Sequence, residues 1–357
     1  MRPMRAGVWR RVAIGAAALL APALAAAEVQ VPPGFRVQAY VTGQGFDSSQ
    51  ERRARGVPSV ATLTFDPAGV LYLGRSGRRY MSGGEVEDLW RLYRIPAGGA
   101  SLTQSTEARF LFGPPLSNPQ VGVFRGEREL FVTTYDRDRK IGVLYRMVDG
   151  RAELFAGGTP EAGAPPDLRQ PEGIAVDASG GFYVADRSAG AVVRLDARGR
   201  VVSRRHAEMT RPRVLVADRA GGLWVGADGT AEAPWQQAEG QIWRVSPEGA
   251  SRLVLRGPLA QAIALSAAGN LLVADRHGGA VFALTPEGQR VDLIRFTDGD
   301  APRSLVVAPV TPETRRAGIA GEIFVVSVRG AAWPVNEVLR ISGPVDELVR
   351  ERAARAP

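Results

Sequence analysis

Short runs of alternating apolar and polar residues, broken by turns rich in Gly, Asp and Ser, recur along most of the chain and predict strands rather than helices. The pattern is plainest between Pro171 and Val202. There it predicts strands at Gly173–Asp177, Phe182–Ala185 and Ala191–Asp196, with a fourth at Val201–His206 after the turn Arg198-Gly199-Arg200. A four-stranded sheet this small cannot bury both faces by itself, so it needs copies stacked on either side.

The copies are present. An apolar or aromatic second strand recurs at Leu71–Gly74, Leu130–Thr133, Phe182–Ala185, Leu223–Gly226, Leu271–Ala274 and Ile323–Val326. Each precedes a third strand of similar character: Leu92–Ile95, Leu144–Met147, Val192–Leu195, Ile242–Val245, Val281–Leu284 and Val338–Ile341. The second strands start at residues 71, 130, 182, 223, 271 and 323, so neighbours are 41 to 59 residues apart. Six copies at that interval predict an all-β, six-bladed β-propeller of four-stranded antiparallel blades.

Closure of the ring is also predicted. Blades one to five have fourth strands at Ala108–Phe112, Ala152–Ala156, Val201–His206, Ser251–Leu255 and Arg290–Ile294, whereas blade six runs from Ile341 into Gly343-Pro344 without one. Residues 35–41 alternate as a half-buried strand does, and are expected to complete blade six and remove an exposed edge. The propeller then spans residues 28–344, and residues 345–357 form a helical or disordered tail.

The blade from Pro171 resembles the NHL repeat, in which a Pro-x-Gly-Ile-Ala-Val-Asp opening is followed by a Val-Ala-Asp turn. Pro171, Gly173 to Asp177 and Val184 to Asp186 carry the likeness, and Val273-Ala274-Asp275 with Pro286-Glu287-Gly288 repeats it more loosely. The resemblance implies a ligand face formed by the beginnings of the first strands and the turns after the second strands.

On that face the register yields two rings. The inner one is Ala61, Gln120, Glu172, Arg213, Gln261 and Arg303, mostly preceded by Pro; the second is Arg75, Thr134, Asp186, Ala227, Asp275 and Ser327. Arg78, Arg79, Arg137, Arg139, Arg187, Arg276 and Arg329 follow closely, and longer connections add Tyr80, Trp235, Gln236, Gln237, Trp333 and Asn336. Gln120, Glu172, Arg213, Gln261, Arg303, Arg75, Arg187 and Arg276 are the candidate ligand-binding residues. A surplus of guanidinium predicts an acidic ligand: an acidic sugar, a cell-wall fragment or an acidic loop of a partner protein. Glu172 and Arg213 are placed to pair with each other, and Asp186 and Asp275 are of the type that satisfies turn amides. His277 is the candidate general base on this face, while His206 ends an outer strand.

Two enzyme readings stand beside non-catalytic binding. Resemblance to gluconolactonase and senescence-marker propellers implies a divalent cation such as Ca2+, held here by Glu172, Asp186 and Asp275, and lactone or ester hydrolysis. Arg213 and Arg303 within the inner ring oppose such an ion. Pro32–Val37, with Gly321–Val325 and Arg329–Trp333, resembles the ends of pyrroloquinoline-quinone-dependent sorbosone and glucose dehydrogenases. That cofactor is a tricarboxylate suited to an arginine-lined mouth, but the family's histidine motif is absent.

Composition narrows the setting. Arg2, Arg5, Arg10 and Arg11 precede an uncharged apolar run to Ala27, the form of a cleavable export signal cut after Ala27. The chain carries 45 basic and 37 acidic residues, net +8, and loss of those four arginines lowers this to +4. A periplasmic or secreted protein, without nucleic acid or a stable membrane span and monomeric, is expected. The chain has no Cys, which excludes disulfides, thiolate metal sites and a cysteine nucleophile.

Overall fold

The computed structural model describes residues 29–44, 57–58, 60–75, 79–80, 86–87, 89–136, 140–160, 164, 166–232, 236, 238–297, 299–328 and 335–355. The leader predicted at residues 1–27 lies outside them. So do Arg78, Arg137, Arg139, Arg329, Trp235, Gln237 and Trp333, and the side chains of Arg79 and Tyr80.

Six antiparallel sheets follow one another around a ring. From the innermost strand outward, blade one is Val60–Phe65, Leu71–Arg75, Leu89–Ile95 and Leu111–Ser117. Blade two is Gln120–Arg125, Glu129–Asp136, Ile141–Val148 and Arg151–Gly157. Blade three is Pro171–Val176, Phe182–Asp186, Ala191–Leu195 and Val201–Glu208. Blade four is Pro212–Ala217, Leu223–Ala227, Gly240–Val245 and Ser251–Gly257. Blade five is Ala260–Leu265, Leu271–Asp275, Ala280–Leu284 and Arg290–Phe296, and blade six starts with Ala301–Val307, Ile323–Val328 and Val335–Ser342.

The expected closure is present. Arg36–Gln44 pairs antiparallel with the third strand of blade six, matching Arg36 with Ser342, Ala39 with Leu339 and Val41 with Val338. Closure extends further than the alternation implied. Val29–Gln30 adds to the outer edge of blade five, opposite Phe296 and Arg295. Ala100–Thr103 lies parallel against the closing strand, with Val41 facing Ala100.

Both faces of every second strand are covered by neighbouring blades, so these strands read as continuous apolar runs with little alternation. Apolar clusters fill the gap between each pair of adjacent blades. Between blades two and three, Phe131 meets Phe182 at 4.4 Å between ring centroids, with Phe155 edge-on to both.

Blade one departs from expectation in its fourth strand. Residues 107–109 form a 3-10 turn and the strand runs from Leu111 to Ser117, with a register shift spanning Pro114-Pro115. Prolines offer no N–H to a ladder and are tolerated where an edge strand bulges.

The tail forms a helix (Val345–Ala353), which buries Val345 and Val349 beside Phe35. Gly343 makes this contact possible, since a Cβ there would stand 2.4 Å from the Phe35 ring. Among the described residues no helix is long and apolar enough to cross a membrane.

Candidate functional site

The six inner strands share one irregularity. Each slips register near its start: between Val60 and Thr62, Val121 and Val123, Pro171 and Ile174, Pro212 and Val214, Ala260 and Ala262, and Pro302 and Ser304. Such a bulge inserts one unpaired residue and re-aims its side chain. Ala61, Glu172, Arg213, Gln261 and Arg303 all occupy these bulges, so the inner ring is built into the strands and does not precede them. In blade two the bulge falls at Gly122, whereas Gln120 is an ordinary ladder residue opposite Thr133. Gly122 is tightly confined: a Cβ there would lie 2.0 Å from an Ile174 methyl.

Blades three and four bring the most charge together. Arg213 grips Asp228 through Nε to Oδ1 and Oδ2, at 2.8 and 2.9 Å, and through Nη2 to Oδ2 at 2.6 Å. Its Nη1 stands 3.8 Å from the Glu172 carboxylate, so the expected Glu172–Arg213 pairing is the looser of two. Arg187 also reaches Asp228, at 3.1 Å, and donates to the carbonyls of Ala231 and Glu232. Asp228 is only 1 % exposed. Burial disfavours the Arg213 charge, but Glu172 and Asp228 more than offset this and hold the guanidinium above its ordinary value.

Around the mouth the balance reverses. Burial and then repulsion from Arg213 push Arg276 below its ordinary value. Burial, then Arg276, then Arg213 pull Arg303 down to about 9. Blades four, five and six thus direct three guanidiniums into one another's field. Among the described residues, the Arg276 guanidinium has neither an ion pair nor a hydrogen-bond partner. On the same blade the Nε2 atoms of Gln261 and His277 are buried without partners.

The proposed metal ligands are occupied elsewhere. Asp186 accepts the amides of Arg169, Gln170 and Ala189 at 2.6, 2.9 and 3.1 Å. Asp275 accepts the Leu259 amide at 3.2 Å, and Glu172 accepts Gln170 Nε2 at 3.1 Å. These carboxylates tie blade connections together, and among the described residues no three His, Asp or Glu side chains form a group able to hold a metal ion. The Ca2+ set expected at Glu172, Asp186 and Asp275 therefore does not assemble.

Arg75 is 4 % exposed, bonded to Glu107 and stacked on Trp90 at 4.0 Å and Tyr93 at 4.8 Å, so its charge is spent inside blade one. His206 packs against Tyr183 at 5.0 Å, in keeping with a structural place.

Pro171, Gly173 to Asp177 and the Asp186 turn all stand where the NHL resemblance puts them, and residues 168–195 match the NHL repeat family. Blade three carries an NHL-repeat match across its first three strands. No curated protein matches the chain. Among solved structures, a glucose dehydrogenase is similar over 87 % of this chain and 100 % of its own, at 12 % identity and TM-score 0.54. An auxiliary nutrient binding protein from Bacteroides thetaiotaomicron is similar over 88 % of this chain and 77 % of its own, at 11 % identity and TM-score 0.55. Virginiamycin B lyase from Staphylococcus aureus covers 86 % of this chain and 99 % of its own, at 11 % identity and TM-score 0.49. Likeness to the first two establishes the propeller fold around the NHL blade.

Proposed function

We propose that the protein binds an anionic ligand at the channel mouth, with no chemistry of its own, and that it does so after export. The supporting observation is the Arg276 guanidinium, half-buried and, among the described residues, without a partner, within the repulsive field of Arg213 and acting in turn on Arg303. A carboxylate or phosphate there would relieve the mutual repulsion and accept charge-assisted, bidentate hydrogen bonds. Arg213, already fixed by Asp228, offers the ligand a guanidinium whose orientation is set before binding. Pyrroloquinoline quinone, as a tricarboxylate, belongs to the same charge class. His277 lies on the same blade as Arg276 with its Nε2 buried and, among the described residues, unpartnered, and no catalytic step is assigned to it.

The test is a calorimetric and thermal-shift screen of uronic acids, sugar phosphates and pyrroloquinoline quinone against neutral sugars. Wild-type protein should prefer the anions and bind them more weakly in salt. Arg276→Ala and Arg213→Ala should each lose about 1–3 kcal/mol of affinity. Equal binding of neutral sugars, with both variants behaving as wild type, would show the arginines to be structural.

A further inference from the structure

Blades five and six repeat the frame of blades three and four. The backbone N–H of Arg187 donates to Gln170 O in blade three, and that of Arg276 donates to Leu259 O in blade five. Arg213 fills the bulge between Pro212 and Val214, and Arg303 fills the matching bulge between Pro302 and Ser304. Asp228 follows Ala227, the ladder partner of Pro212, just as Val328 follows Ser327, the partner of Pro302. Glu172 and Gln261 hold the bulges of blades three and five. Register therefore equates Arg187 with Arg276, Arg213 with Arg303, Asp228 with Val328 and Glu172 with Gln261.

The arginines recur in the second pair of blades, but the acids do not. Between blades three and four, Asp228 takes bonds from both Arg187 and Arg213, and Glu172 stands 3.8 Å from Arg213. Gln170 completes that set, donating Nε2 to Glu172 and accepting the Ser188 hydroxyl. In blades five and six a valine takes the place of Asp228, an amide that of Glu172, Leu259 that of Gln170 and His277 that of Ser188. The groups left over are the ones such partners would satisfy. Among the described residues the Arg276 guanidinium and the buried Nε2 atoms of Gln261 and His277 have no partner.

In its first copy the frame holds a planar group with two oxygens, 2.6 Å from Arg213 and 3.1 Å from Arg187. A carboxylate is that group: it accepts from two guanidiniums at once and offsets their repulsion. Val328 is buried and offers only methyl groups, so in the second copy the oxygens must come from the channel.

We propose that blades five and six bind the carboxylate of a small organic acid where blades three and four hold Asp228, bridging Arg276 and Arg303, with Gln261 and His277 meeting polar atoms beside it. This carboxylate site rests on the anion-binding reading above and narrows it to one side of the mouth.

The experiment is calorimetry with glucuronate, glucose 6-phosphate and glucose, on wild type, Arg276→Ala, Arg213→Ala, Gln261→Glu and Val328→Asp. Wild type should prefer glucuronate to the phosphate, and Arg276→Ala should weaken glucuronate about tenfold or more, beyond the loss in Arg213→Ala. Gln261→Glu and Val328→Asp each supply a carboxylate from within the chain, and each should weaken glucuronate to a similar extent. Val328→Asp should also melt at a higher temperature than the uncharged Val328→Asn, and glucuronate should raise the melting temperature of the Asn variant only. Gln261 is half-buried, so Gln261→Glu answers the question even if the buried Val328 tolerates neither change. If Gln261→Glu binds glucuronate as tightly as wild type, or Arg213→Ala loses more affinity than Arg276→Ala, the carboxylate does not sit between blades five and six, although anion binding at the mouth stands. Equal affinity for the phosphate would likewise overturn the carboxylate assignment. If neither acid binds, the mouth reading falls and the carboxylate site falls with it.

Discussion

Asp228 carries more of the site than its single charge suggests. It neutralises Arg213 and Arg187 together from a position 1 % exposed, so replacing it leaves two enclosed guanidiniums without their shared acceptor. Asp228→Asn should cost about 3–5 kcal/mol of folding stability, read as a lowered denaturant midpoint at unchanged slope. Arg303 behaves in the opposite sense. Its folded value, about 9, lies below the ordinary arginine value, so the folded state carries a penalty at neutral pH that fades as pH rises through about 9. It keeps its proton at pH 7, so the proposed anion would meet a charged guanidinium there. Affinity for a carboxylate should therefore be level to about pH 8 and fall through pH 9–10, as titration calorimetry at stepped pH would record. Arg213 and Arg303 could be picked out from register alone, because the repeat fixes which residue of each blade faces the channel. Asp228 could not. Blades three and five place their Asp directly after Val-Ala, whereas blade four reads Val225-Gly226-Ala227-Asp228, one residue later. Only packing shows that this shifted carboxylate turns toward Arg213 and leaves the turn amides aside.

Among the elements, the bulged inner strands give the site its geometry and the closing strand gives it permanence. The bulge is repeated in all six blades, yet its exact residue depends on local packing, which is why Gly122 displaces Gln120 in blade two. Arg36–Gln44 buries Tyr40 and Val41, while Phe35 seals the end of blade six. Each fully buried apolar side chain of this size contributes about 1.5–3 kcal/mol. Removing residues 28–42 should lower stability by about 5 kcal/mol or more and expose the edge of Val335–Ser342. A truncated protein melting at the wild-type temperature would contradict that ring closure. The sequence announces this strand through its alternation and through the gap it fills. Ala100–Thr103 gives no such signal: four residues pair with the closing strand and bury Leu102 in the adjoining core, and the Tyr40 hydroxyl donating to Ala97 O at 2.6 Å anchors the loop before them. Contacts of that kind depend on where the ring brings chain segments together, which no local pattern encodes.

Taken as a molecule, the propeller was legible because each blade obeys the same physical need, two covered faces, and so repeats the same apolar second strand. What the repeat leaves blank is the difference between blades, and the mouth is made of those differences. Arginines stand at the bulges of blades four and six, with Glu172 in blade three and Gln261 in blade five between and beside them. The shared rim of blade six and the N-terminal segment also bears on the order of events during synthesis. Thr42 donates to Glu337 across 295 residues, so one of the first strands made is paired with the last. Until the ribosome has finished that final hairpin, five blades must persist as an open arc with an apolar seam at each end. The gap between first and last strand is then a waiting time, during which the growing chain is vulnerable to proteases and to seams from other copies, and chaperone cover matters most.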